Sequence, residues 1–543
     1  MSAQKKKWIK EMLGHIPGTA EFAQPLLFGD RAPSTGFLLE RLGSVLPQWV
    51  AEAEEARAGC EKLSEKRILI VGFLRWWLEY AAALGHLLYG QGYHAELAYV
   101  PYKDWLGEVN LFDRRRQSTL IRRTLDPASH FLPQHDLSHP PAVTLPNVLL
   151  KMIEDLTLID VQYSRQRETL YLGPGEEDEP LYQLRWQRNT AAAASVYCLL
   201  RTGKYQQVIV PNGSIFEFGA VYQTAKYLQV PVATFEFGEQ RERIWLAQDS
   251  EVMLQDTSRL WDKRGGVPLT EVEKNAVQDL YKARMGGELW RNFQRRWQAS
   301  GQEGGEAVRQ QLGLDAGRPV VLLCTNVVGD SLALGRQLFT DGMADWLAKT
   351  AEYFAEHPQA QLVIRVHPGE LRSVGDPSVD IVRRTLKQIP ENIFLVPPES
   401  QVNTYDLIQI ADLGLVYTTT VGMEMAMAGV PVMVGAKTHY RGKGFTIDAD
   451  TFTDYYGNLD TFLEDPQRFS VSEEQAALAW RYAYRFFFEF ALPFPWHIVG
   501  FMKDIKARPI SHVSSEAGIA KYGKAVRVFA GEPLEYDSLQ QVR

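Results

Sequence analysis

The chain has 543 residues, 45% of them hydrophobic and 23% charged, with a formal net charge of −8. Such a length exceeds what one core organises, so two domains with appended segments are expected. The acidic balance excludes a general polyanion binder, which needs a dominant positive field, and nucleic acid is not an expected partner. Cys60, Cys198 and Cys324 stand far apart; with neither metal-ligand spacing nor a disulfide framework, they read as small buried hydrophobes in a reducing compartment.

The lysines of the opening "MSAQKKKWIKEMLGH" are not followed by the apolar segment of a signal peptide. No run approaches the roughly 20 apolar residues that span a bilayer. The expected location is cytoplasmic, with at most a peripheral seat on a membrane. Residues 1–66 read as a helical extension, in which "FLLERLGSVLPQWVAEAEEARAG" is amphipathic and stops near Gly59. From Arg67, "RILIVGF", "LRWWLEYAAALGHLLYGQG" and "YHAELAYV" read as strand, helix and strand, and the pattern returns in "YQQVIVPNGS", "IFEFGAVYQTAKYLQ" and "VPVATFEFG". Residues 100 to about 200 read as loops plus one long helix beginning near Pro146. A Rossmann-like first domain is expected over 67–300, with "ASGQEGGEA" as the linker candidate. A second such domain, 301–470, holds "GRPVVLLCTN", "AQLVIRVHPGE", "NIFLVPP", "ADLGLVYTTT" and "GVPVMVGA". Continuous Val/Ile/Leu runs predict strands buried on both faces, hence parallel sheets. The last segment, 471–543, opens with the aromatic "SEEQAALAWRYAYRFFFEFALPFPW", read as a helix returning to the first domain.

In open parallel sheets ligands bind beyond the carboxyl ends of the strands. His367-Pro368-Gly369-Glu370 follow one predicted strand, Thr418, Thr419 and Thr420 another, and a Gly435 loop leading to "HYRGKGFT" a third. The threonines open the predicted helix "VGMEMAMAG", whose N–H groups favour an anion; hydroxyls there bind phosphate or cap the helix. Gly422 would admit a close ligand, and Glu424 would accept hydrogen bonds from sugar hydroxyls. Pro368 biases His367 to an extended conformation at the strand end. Strand-end candidates in the first domain are Asn212 and Gly213 in "VPNGS" for the acceptor, with Glu236 and Glu239 in "FEFGEQ" as carboxylates able to deprotonate a hydroxyl or stabilise a cationic transition state. Glu79 and His86 read as helix-surface or core residues. His130, His135 and His139 complete no ligand set, so no metal is expected. "DRRRQSTLIRRTL" reads as an exposed helix or a face toward an anionic acceptor or lipid head groups, and "WRYAYRFFFEF" as core packing in preference to membrane contact. Neither a Gly-x-Gly-x-x-Gly turn nor a P-loop occurs, against redox dinucleotide and ATP chemistry.

Together "VIRVHPGE", "NTYDLIQIADLGLVYTTTVGMEMAMAGVPVMVG" and "HYRGKGFT" resemble the nucleotide-binding half of GT-B glycosyltransferases, and most of all the capsule polysaccharide biosynthesis group related to 3-deoxy-manno-octulosonic acid (Kdo) transferases. The motif-bearing resemblance covers roughly residues 318–450. It implies an α/β, GT-B-like fold: two Rossmann-type parallel-sheet domains facing a cleft, acceptor in the first and activated-sugar donor in the second. By the same resemblance Glu424 holds the donor ribose. The His-Pro pair and hydroxyl cluster are also similar to those of bacterial sialyltransferases and polyol-phosphate transferases, which implies that His367, Thr419 and Thr420 hold the phosphate of a cytidine donor. Lys443, between Gly442 and Gly444, suits a loop over that phosphate. The acidic pair followed by glycine of the sialyltransferases is missing, "FEFGEQRE" being its nearest analogue. The expected function is transfer of a sugar from a nucleotide-activated donor, CMP-linked and Kdo-like as the first choice, to a surface-polysaccharide or glycolipid acceptor. No metal or other cofactor is expected, and His367 would stabilise the departing phosphate. Polyol-phosphate transfer, nucleotide-sugar epimerisation or hydrolysis, and a non-catalytic sugar-nucleotide-binding scaffold are the alternatives.

Overall fold

The computed structural model describes residues 3–33, 37–60, 64–103, 105–286 and 301–536. Along the first half run β1 (Arg67–Gly72), β2 (His94–Tyr99), β3 (Gln134–Asp136), β4 (Tyr205–Pro211), β5 (Val232–Glu236) and β6 (Arg243–Gln248). The second half carries β7 (Val320–Cys324), β8 (Gln361–Arg365), β9 (Ile393–Val396), β10 (Leu413–Val416), β11 (Val432–Val434), β12 (Ile447–Asp448) and β13 (Ala491–Pro493). One sheet has the order β13-β6-β5-β4-β1-β2-β3, parallel from β3 to β5 with β6 and β13 antiparallel at one edge. The other, β12-β11-β10-β7-β8-β9, is parallel throughout. The chain thus has an α/β architecture of two parallel-dominated sheets.

β7 shows why the apolar runs form these sheets. Val320, Leu322 and Cys324 join one apolar cluster, while Val321 and Leu323 join another on the opposite face. A strand covered on both sides needs no polar alternation. The first sheet packs on Leu42, Leu46 and Trp49 of helix Glu40–Ala58 and on Tyr522, Val526 and Phe529 of helix Glu516–Phe529, so both ends of the described chain cover the first sheet. The return is made by helix Glu473–Tyr484, a π-helical turn Arg485–Phe490 and then β13, which pairs with β6.

Several expectations need correction. Residues 100–200 hold three long helices, Leu111–Leu125, Asn147–Arg165 and Glu179–Leu200, in place of loops and a single helix. The "DRRRQSTLIRRTL" helix is not an exposed basic face: Arg115 pairs with Glu21 and Arg116 with Asp113, and Arg116 is buried. Leu260, Val277 and Leu280 pack in the core of the second sheet, although the sequence boundary gives them to the first domain; apolar spacing marks a helix but not which sheet it covers. Cys324 is buried, but Cys60 and Cys198 are only half-buried. The linker candidate begins at Ala299 and Ser300, which lie outside the described residues.

Candidate active site

At the carboxyl end of β4 the chain turns sharply into helix Phe216–Tyr227. Asn212, Gly213 and Phe216 all have positive φ, at 60°, 92° and 53°. L-residues pay roughly 1–2 kcal/mol for that region, so the junction is held by its surroundings. Only glycine fits at 213, where a Cβ would meet the Thr234 side chain and the Glu251 backbone. Asn212 donates its N–H to the Phe235 carbonyl at 2.9 Å, and its Oδ1 accepts from the Ser214 N–H and hydroxyl at 3.0 and 2.7 Å.

This turn brings Asn212 against Glu236, the last residue of β5. Burial pushes the Glu236 carboxyl up to about 7, in opposition to hydrogen bonds from the Phe237 N–H and the Asn212 side chain. Tyr163, near the end of helix Asn147–Arg165, lies within the field of Glu236 and of Asp330, which follows β7; burial foremost, then these carboxylates, push its phenol up to about 12. Tyr163 thus senses carboxylates that follow or end strands of both sheets. The strained junction is braced by a buried network: Arg185 donates to Asp160 at 2.8 Å and to Glu217 at 2.9 Å, and the Tyr102 hydroxyl donates to Glu217 at 2.7 Å. Burial works to raise the Glu217 carboxyl, and Arg185 overrides it, holding Glu217 below its ordinary value.

On the second sheet, His367 leaves β8 in an extended conformation. Its N–H donates to Thr325 Oγ1 at 3.0 Å, and its Nδ1 accepts from the Gly369 N–H at 3.0 Å, which places the proton of a neutral ring on Nε2. Glu370 accepts from the Ser378 N–H and hydroxyl at 2.8 and 2.6 Å and serves the start of helix Ser378–Leu386. Thr418 and Thr419 are buried after β10. The Thr418 N–H donates to Asn326 Oδ1 at 3.1 Å, while its hydroxyl is buried without a partner. Thr420 sits at the cap of helix Val421–Met427 and makes no side-chain capping bond, so capping does not explain the cluster. The space beside Gly422 is filled: a Cβ there would meet the Tyr440 ring and Val416, and Tyr440 donates to the Thr419 carbonyl at 2.7 Å. That glycine makes room for Tyr440, not for an approaching ligand.

Glu424 is 1% exposed and fully engaged. Arg284, in the last turn of helix Glu271–Met285, pairs with both Glu424 and Glu239, and the Tyr405 hydroxyl donates to Glu424 at 2.9 Å. Burial works against the Arg284 charge, and Glu239 and Glu424 hold it firmly protonated. A second bridge runs from the first sheet's side: Glu168 accepts from the Met343 and Ala344 N–H groups at 2.9 and 2.8 Å, at the start of helix Met343–Glu356, and Gln166 Oε1 accepts from the Val374 N–H at 2.8 Å. Lys443 is half-buried, with its ammonium lowered by that burial, and its charged neighbours are Asp256 and Asp262.

No protein-family profile and no curated protein matches the chain. Solved structures to which it is similar include the β-Kdo 2,4-transferase KpsC of Thermosulfurimonas dismutans, at 16% identity over 51% of this chain and 79% of that one, with a TM-score of 0.34. The UDP-GlcNAc 2-epimerase of Neisseria meningitidis bound to UDP-GlcNAc is 14% identical over 78% and 99% of the two chains, at a TM-score of 0.25. Acinetobacter baumannii MurG is 13% identical over 77% and 95%, at 0.26.

The remaining candidates have structural partners. Glu79 is buried and pairs with Arg41. His86 is buried, bonded through Nδ1 to the Ala82 carbonyl at 2.7 Å, and burial lowers it to about 4. His130, His135 and His139 go separately to Glu54, Glu96 and Asp136, and no group of three metal-binding side chains occurs among the described residues. A groove of about 490 Å³ opens between helices Ala3–His15 and Glu179–Leu200, lined by Trp8, Tyr102, Glu108, Arg114 and Arg188 among others. Arg284, Tyr163, Asp330 and Glu168 were not singled out from sequence. Each acts on a partner remote in the chain, and no local spacing announces that.

Proposed function

We propose that the chain is a glycosyltransferase moving a sugar from a nucleotide-activated donor to a carbohydrate or glycolipid acceptor, with a CMP-linked, Kdo-like donor as the first choice. The observation that carries this reading is Glu236: a carboxyl at the end of β5, held by Asn212, raised by burial to about 7, with Tyr163 in its field and in that of Asp330 after β7. A base works best with its pKa near the working pH. In this reading Glu236 takes the acceptor hydroxyl proton as that oxygen bonds to the anomeric carbon, and the bond from that carbon to the donor phosphate oxygen breaks, its electron pair leaving with the phosphate. His367 Nε2–H and the Thr418–Thr420 loop receive the departing charge, a role supported by the unpartnered Thr418 hydroxyl. Glu424 takes the ribose by exchanging part of its bond to Arg284. Lys443 reaches the phosphate only by leaving Asp256 and Asp262.

Calorimetric titration with CMP, CDP, UDP, GDP and dTDP tests the donor site. One nucleotide is expected to bind selectively, and at least tenfold more weakly to His367→Ala and Glu424→Ala. Absence of binding by all five overturns the assignment, and donor consumed without acceptor assigns hydrolysis or epimerisation instead.

A further inference from the structure

The segment 3–31 is amphipathic in the inverted sense. Its polar side chains face the protein: Lys7 pairs with Glu108 at 2.7 Å, Lys10 with Asp113 at 2.6 Å and Glu21 with Arg115 at 2.7 Å. Glu11 accepts from the Leu111 N–H at 3.0 Å, and the fully buried Gln24 accepts from Arg116 at 2.9 Å. Gly14 closes the contact, since a Cβ there would strike the Leu111–Phe112 backbone. Apolar side chains face outward at helical spacing. Trp8, Met12 and Ile16 are 62, 53 and 51% exposed, and Phe22, Leu26 and Leu27 are 70, 78 and 75% exposed. Burying a polar glutamine while exposing two leucines within one turn reverses what water alone would select.

We propose that this face is a docking surface for an anionic phospholipid bilayer. The exposed Lys5 and Lys6 stand just before Trp8 in a chain whose net charge is −8, so positive charge lies beside the apolar stripe. Apolar side chains with an aromatic ring entering the headgroup region, and lysines at its edge, are what an interfacial helix needs. No helix among the described residues is long and apolar enough to cross a membrane, and docking needs none. The proposal is independent of the donor-site reading.

The full-length chain is sedimented with phosphatidylglycerol–phosphatidylcholine vesicles and with phosphatidylcholine vesicles alone. It partitions with the anionic vesicles and less so as salt rises. Lys5→Gln and Lys6→Gln each weaken this about fivefold, from the usual contribution of a lysine at an anionic surface. The triple variant Phe22→Ser, Leu26→Ser, Leu27→Ser weakens it more than tenfold, with thermal unfolding and nucleotide binding unchanged because these side chains leave the protein surface. Failure of the wild type to sediment with anionic vesicles overturns the proposal, as does unchanged partition of the triple variant. Self-association without vesicles that the triple variant abolishes would assign the face to a second copy and overturns it equally.

Discussion

Glu236 can be tested without knowing any substrate, because a carboxyl raised by burial costs stability wherever it is ionised. Its folded value of about 7 exceeds the ordinary 4.5, so the folded chain binds the proton more tightly than the unfolded chain. The contribution to stability is fully present below pH 4.5 and is lost as pH rises through 7. At about 1.4 kcal/mol per pH unit the loss is about 3 kcal/mol. Glu236→Gln keeps the shape and an acceptor for the Phe237 N–H but removes the charge. Denaturant unfolding should find the variant about 3 kcal/mol more stable than wild type at pH 8 and nearly equal to it at pH 4.5, while turnover with any productive donor and acceptor falls by about 10²–10⁴-fold. The two transitions expected of a two-core chain are fitted separately, and the gain appears in the one that monitors the first sheet. A variant no more stable than wild type at pH 8, or equally stabilised at both pH values, would refute the assignment of a base raised by burial.

Other consequences follow from particular contacts. Arg284→Ala leaves Glu239 and Glu424 buried without their cation and should cost about 3–5 kcal/mol in denaturant unfolding; converting both glutamates to glutamine in the same chain should recover much of it. Glu168→Ala removes the acceptor of two N–H groups at a helix start and should cost about 1–2 kcal/mol, read as a lower midpoint for the second-sheet transition and faster proteolysis near residue 343. Burial holds His86 near 4 and His439 near 3, both below the ordinary 6.5. The unfolded chain therefore takes up more protons, and the stability these two contribute is present above pH 6.5 and lost as pH falls toward 4, opposite in sign to Glu236. Thermal unfolding of His86→Gln between pH 4 and 7 should show a shallower decline than wild type.

The two sheets were legible because their strands are covered on both faces, so β1, β7, β8 and β10 stand out as unbroken apolar runs. The insertion was not legible for the converse reason. Helix Leu111–Leu125 buries Asp113, Arg116, Gln117 and Ser118, and helix Glu179–Leu200 buries Arg185, Arg188 and Asn189, so neither displays the apolar stripe by which a packed helix is recognised. Arg185, with Asn189, braces the junction that carries Asn212, while Asp113 and Arg116 hold segment 3–31, so part of what hid the helices serves the candidate site. Segment 3–31 fails the same test in reverse, since an inverted helix shows its stripe to whoever reads the sequence but turns it away from the core.

Position in the sheet picks out strand-end residues such as Glu236, Glu239, His367 and Glu424, but it assigns them no state. Glu236 ends β5 and Glu239 stands three residues on in the following loop, yet one is raised by burial beside an uncharged amide while the other is paired to Arg284. A carboxylate bound to a buried guanidinium has its lone pairs spent and its charge stabilised, which disfavours taking up a proton. A carboxyl held by Asn212 keeps a lone pair for an incoming hydroxyl. Of the two glutamates proposed from the sequence, the environment therefore favours Glu236 as the base, and Glu239 serves with Arg284 and Glu424 to tie the two sheets together. The link also gives a directional consequence: a nucleotide that draws Glu424 toward its ribose must loosen Arg284 and pass part of that charge to Glu239. Glu239→Gln should then weaken the hold on Arg284 and alter nucleotide affinity from the first sheet's side, whereas Glu236→Gln should leave that affinity unchanged while slowing transfer by about 10²–10⁴-fold.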